Sequence, residues 1–178
     1  MSPESTSSKS ANPAFAGLST DPGVAQSAAP TVRPLRKPAE MKGGWIWGTG
    51  RRKTAVARVR LRPATGGDGK VQIQVDKDTF KTVEQYFAEE RDRNDCYAPL
   101  KVTSTLGKVD VVIRLNGGGF MGQAGACLLG LSRALRGYDP TLEQALRDNG
   151  MLTRDSRDVE RKKYGQAGAR RRFQFSKR

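Results

Sequence analysis

From Thr54 to Arg62 the chain reads TAVARVRLR, which places Ala55, Ala57, Val59 and Leu61 on one side and Arg58, Arg60 and Arg62 on the other. Successive side chains of a strand point to opposite faces, so this alternation fits a half-buried β-strand and fits no helix. A strand that is apolar on one face needs a layer to cover it, which constrains the fold to a sheet with something packed on one side. The opposite face is a ladder of arginines, spaced so that they point together. With Arg51, Arg52 and Lys53 just upstream, it forms a basic surface on the folded body.

The turn-rich PATGGDG at 63–69 follows, and Val71, Ile73 and Val75 then alternate with Gln72, Gln74 and Asp76. This pattern predicts a hairpin between the two strands. A short helix is expected from Asp78, with Phe80, Val83, Tyr86 and Phe87 facing a core, and the charged run EERDRND after it reads as an exposed helix end or loop. Leu100–Thr103 reads as a short strand. Val109–Leu115 reads as a stronger one, with Val109, Val111, Ile113 and Leu115 sharing a face. After the glycine loop NGGGFMGQAGA, a helix is expected to about Arg136, burying Ala124, Leu128, Leu131 and Leu135. Asp139 and Pro140 fit an N-cap and first helical position, and the helix they open stops at Gly150.

Both ends of the chain lack such periodicity. Residues 1–44 are rich in Ser, Ala, Pro and Thr, with prolines at 3, 13, 22, 30, 34 and 38, so a flexible extension is expected there. It has no apolar core of the kind a secretory signal needs. Glu4, Asp21 and Glu40, with no Arg before Arg33, are out of character for an organelle transit peptide. The other end, 151–178, carries ten basic and three acidic side chains, a net +7 that is half of the chain's +14. Its large apolar residues beyond Glu160 are Tyr164, Phe173 and Phe175. That is too little apolar surface to offset the entropy of ordering, so the tail should take up structure against a polyanion. Arginine forks and lysine ammoniums would meet phosphates, and the aromatics would lie on sugars or exposed bases. Three regions follow: a 1–44 extension, a 45–150 α/β body and a 151–178 basic tail.

Several functions are disfavoured. The chain has no histidine and two cysteines, Cys96 and Cys127, so the usual zinc sites and the Ser–His and Cys–His triads cannot be built. Two reduced thiols are expected, and neither a metal nor another cofactor. No apolar run approaches the ~18 residues that span a bilayer. Gly117-x-Gly119-x-x-Gly122 matches a dinucleotide fingerprint, and Asp139 follows seventeen residues on. A dinucleotide fold, however, needs a second parallel strand carrying that acid, and none follows. What survives is a tight strand-to-helix turn whose backbone could approach an RNA phosphate.

Five blocks together resemble the ribosomal protein S-nine family of the small subunit: GTGRRKTAVARVRL at 48–61, NGGGFMGQAGA at 116–126, SRALRGYDP at 132–140, LTRDSRDVERKKYG at 152–165, and the closing QFSKR. The resemblance implies an α+β fold, a two-layer α/β sandwich with a small mixed sheet, related to the second domain of the ribosomal protein S-five family. It implies a structural, non-enzymatic constituent of the small subunit's head, bound to small-subunit rRNA and neighbouring head proteins, on cytoplasmic ribosomes or on organellar ones if residues 1–44 are a presequence. Its candidate rRNA contacts are Arg51, Arg52, Lys53, Arg58, Gly117, Gly118, Gly119, Gln123, Arg161, Lys162, Lys163, Arg170, Arg171 and Arg172. Ser176, Lys177 and Arg178 are the candidate contacts to peptidyl-site tRNA. The uncharged YGQAGA at 164–169 interrupts the basic run where some members are basic, and residues 1–44 lie outside the common bacterial pattern. Two other readings compete: an enzyme holding a phosphorylated ligand at the glycine loop, and a free nucleic-acid chaperone.

Overall fold

A computed structural model describes residues 38–176. Of the flexible extension expected over residues 1–44, residues 1–37 lie outside the described residues, as do Lys177 and Arg178. Among the described residues, five strands form one mixed sheet: β1 (Ile46–Arg52), β2 (Ala55–Pro63), β3 (Val71–Gln74), β4 (Phe80–Thr82) and β5 (Val109–Asn116), in the order β1-β2-β5-β3-β4. All neighbours are antiparallel except β3 and β5. The helices are α1 (Val83–Tyr86), α2 (Glu90–Val102), α3 (Phe120–Tyr138) and α4 (Glu143–Asp148).

The alternation read in β2 holds, with Ala55, Ala57, Val59 and Leu61 fully buried. Val109, Val111 and Ile113 of β5 bury beside them, while Leu115 is half-buried. This apolar face meets Leu131 and Leu135 of α3, Cys96 and Leu100 of α2, and Phe87. Leu128, expected in that stripe, is half-buried instead. The thiols of Cys96 and Cys127 are free and buried, one on each of the two packed helices. Their mutual hydrogen bond, with burial added, pushes the Cys127 thiol well above its ordinary range.

Strand β1 packs by lacking side chains. Gly48 and Gly50 face α3, and a methyl on either would overlap the backbone of α3, at the Gly130 and Ala126 carbonyl oxygens respectively. On the helix, Gly130 in turn meets Gly50 and Val59. Backbone lies directly on backbone, and only glycine allows this approach.

Four expectations are corrected. β2 and β3 do not form a hairpin, because β5, apolar enough for a central position, lies between them. The chain leaves β2 past Pro63 and returns through Gly69, whose Cβ would strike the Val109 backbone. Leu100–Thr103 is no strand but the end of α2. There, Asp92, Cys96, Pro99, Leu100 and Thr103 bury at helical spacing. The charged run 89–95 opens that helix, with Glu90 and Asp92 in the first turn, where acids suit the helix dipole. Phe80 belongs to β4 and is 47% exposed. The helix begins after it, at a capping box in which the Thr82 hydroxyl accepts from the Gln85 backbone N–H and the Gln85 side-chain Oε1 accepts from the Thr82 N–H. The Asp139 cap forms as read, its carboxylate accepting from the Thr141 N–H at 2.9 Å.

Candidate nucleic-acid interface

The expected contacts of the body gather at one end of the sheet. Strand β1 ends in Arg51 and Arg52, and the turn into β2 carries Lys53, which adopts φ 50° to close it. Beside it β5 ends at Asn116, paired with Val56, and the glycine loop follows. Gly117 and Gly118 have φ of 70° and 68°, and a Cβ on Gly118 would lie 2.8 Å from that of Ala55. Both positions demand glycine. Gly119 is the exposed N-cap of α3. Gln123 is buried rather than offered to a partner. Its amide donates to the Gly117 carbonyl at 3.0 Å and its oxygen accepts from the Tyr86 hydroxyl at 2.9 Å. Burial pushes the Tyr86 phenol up, so it remains a donor. Gln123 therefore holds the loop's shape, and Phe120, 62% exposed, stands over Tyr86 at a ring separation of 5.9 Å.

Arg51 and Lys53 are exposed, but Arg52 turns inward. Its guanidinium donates to the Met121 carbonyl and to Asp155, both at 3.2 Å. Its stem lies across Gly125, where a Cβ would sit 2.9 Å from Nη1. Asp155 also accepts from the Arg157 backbone N–H at 3.0 Å and from the Arg157 guanidinium at 2.9 Å. These arginines, Arg157 first, hold the Asp155 carboxyl far below the usual carboxylate range. Side-chain exposures of 19% for Arg52 and 27% for Asp155 set this pair apart from the tail's other ion pairs, which are more open. Arg52 is a latch joining the end of β1, α3 and the root of the tail.

Among the described residues, the tail beyond Arg157 has no helix or strand. One exposed pair, Arg170 with Glu160, closes a loop across the uncharged 164–169 segment and lowers the Glu160 carboxyl from its ordinary value. Arg161, Lys162, Lys163, Arg171 and Arg172 are exposed, and their side chains make no ion pair among the described residues. Tyr164 is 95% exposed and Phe175 88%. The cleft lined by Arg51, Arg52, Leu128 and Asp155 holds about 160 Å³, well short of the ~300 Å³ at which ligand pockets begin. Among the described residues, no cluster of acids and cysteines could hold a metal ion, and no helix is long and apolar enough to cross a membrane.

A glycine loop at one end of the sheet and an exposed basic tail give this α+β body the electrostatic footprint of a nucleic-acid-binding protein. The family model "Ribosomal protein S9/S16" matches residues 50–178, and the chain belongs to that family. Among its relatives, the small ribosomal subunit protein uS9 of Thermotoga neapolitana is 55% identical over 132 residues, which is 74% of this chain and 95% of that protein. That of Thermotoga maritima is 54% identical over 140 residues (79% and 99%), and that of Desulfosudis oleivorans 46% over 138 (78% and 100%). The matched stretch holds every candidate residue read from the sequence.

Proposed function

We propose that this chain is a structural constituent of the small ribosomal subunit, bound through its body and tail to rRNA of the subunit's head, with residues 176–178 reaching peptidyl-site tRNA. The observation that carries this is the tail itself: rooted on the body by Asp155, it presents Arg161, Lys162, Lys163, Arg171 and Arg172 with no ion-pair partner among the described residues. Such cations gain most from phosphates, whose counterions they release on binding. Phosphate contacts fix position without reading bases, as a scaffold requires. Arg170 has Glu160 on it and would exchange that exposed, weakly held partner for a phosphate. Arg51, Lys53, Arg58 and the backbone of Gly117–Gly119 supply the body's contacts. Arg52 and Gln123 serve the same interface from within, by holding the turn, the loop and the tail root in place. The partners are small-subunit rRNA, peptidyl-site tRNA and neighbouring head proteins, with no turnover and no small-molecule substrate, at the cytoplasmic ribosome.

Sedimentation of a tagged copy in a sucrose gradient, at magnesium that keeps subunits intact, tests this. Stoichiometric migration with the small subunit is expected. A chain that stays at the top of the gradient contradicts the ribosomal role and favours a free RNA-binding one.

A further inference from the structure

The helices cover one face of the sheet and leave the other open. On that open face the arginine ladder divides into two unlike halves. At the far end, Arg62 sits on Asp110 at 3.1 Å and over the Trp45 ring at 4.6 Å. Arg60 donates to Gln74 at 2.7 Å and lies 5.6 Å from the centre of the Trp47 ring. Both are engaged within the chain. Toward the glycine loop the pattern changes. Arg58 of β2 faces Arg114 of β5 directly across the ladder, flanked by Thr49 on β1 and Gln74 on β3. Both are exposed, and neither guanidinium has a partner among the described residues. Like charges set directly opposite each other on a sheet repel, and no acid in the register relieves them.

We propose that this half of the open face is a cradle for an RNA phosphodiester backbone, centred on the Arg58–Arg114 cross-strand pair and continued by Arg51 and Lys53 at the turn. It rests on the reading of the chain as an RNA-binding protein and adds to that reading Arg114 and its cross-strand pairing with Arg58. Facing guanidiniums present two donor forks to one strand of phosphates. A protein partner is the poorer fit. Protein interfaces deplete charge at their centre and bury apolar anchors, whereas this half offers Thr49, Gln74, Asn116 and two half-buried valines, Val56 and Val112. The body thus holds RNA on its sheet while the tail reaches elsewhere.

The test measures binding of the full chain to a transcript of the small-subunit head rRNA between about 50 and 200 mM salt. Arg58→Gln and Arg114→Gln should each lower the slope of log affinity against log salt by about one, and the double variant by about two. Lys101→Gln, an exposed charge on the helical layer, should leave it unchanged. Melting of free Arg114→Gln should fall at or above the wild-type temperature, because a facing like charge has gone. A binding loss accompanied by a lower melting temperature therefore reports misfolding and counts against the cradle. Wild-type slopes in both arginine variants overturn the proposal, as does an unchanged slope combined with loss of a neighbouring head protein from subunits. Failure of the wild-type chain to bind the transcript overturns the RNA-binding reading itself.

Discussion

Arg52 and Arg171 carry the same guanidinium at the two ends of one basic system, and the chain uses them in opposite ways. Arg52 is committed inward, on Asp155 and the Met121 carbonyl, with its Nε buried and without a partner among the described residues. Arg171 stands open. The body spends a cation to fix geometry, and the tail keeps its cations available. The body can hold an arginine in place because its frame is rigid: a β1 strand on which α3 lies backbone to backbone, over a core of Leu61, Ile113, Leu131 and Leu135. In the tail the aromatics are exposed, and among the described residues beyond Glu160 the backbone is held by one turn, in which the Ala167 and Gly168 N–H groups donate to the Arg171 carbonyl. A count of basic residues therefore overstates the contact surface; what matters is which of them the fold has already used.

The comparison is broken most severely at the frame. Gly50→Ala places a methyl against the Ala126 carbonyl of α3, and overpacking of this kind typically costs about 1–3 kcal/mol. Urea denaturation should show a lower midpoint at an unchanged m-value. The same change at Gly66, where nothing lies within 4 Å of a would-be Cβ, should have little effect.

The next largest effect is at the latch. Asp155→Asn removes the charge that Arg52 and Arg157 share. Limited proteolysis should then cut near residues 153–158 several-fold faster, while the midpoint for the body shifts little. Acid should do the same work. Asp155 has a folded-state pKa far below its unfolded value, so its contribution is fully present above the unfolded value of ~3.9 and is lost as pH falls below it. Proteolysis with an acid-tolerant protease should be flat down to about pH 5 and accelerate below about pH 4 in wild type, but not in Asp155→Asn.

The smallest effect is in the tail. Glu160→Gln frees Arg170 from an exposed pair, and exposed pairs contribute little. No change in melting temperature is expected, with RNA affinity equal to wild type or slightly tighter.

Much of this was legible in the sequence, for physical reasons that vary by element. β2 and β5 announce themselves because each has one buried face made of side chains. β1 does not, because its buried face is Ile46, Gly48 and Gly50, and two of those three contribute by having no side chain. A β2–β3 hairpin is what the local turn signal suggests, but strand order is set by which strand is apolar enough for the centre, and short-range turn chemistry does not see that. The tail's cations were readable from charge alone. The role of Arg52 was not, since its partner lies 103 residues away. Arg114 was hidden as one charge in an apolar run, and becomes visible when the register sets it against Arg58.

We propose that the tail rooted at Asp155 reaches the peptidyl-site tRNA. The most direct test is tRNA retention by small subunits assembled with the full chain and with a chain lacking residues 176–178. Subunits should assemble equally with both, and those with the shortened tail should release peptidyl-site tRNA several-fold faster. Equal release from subunits of equal composition would contradict the account.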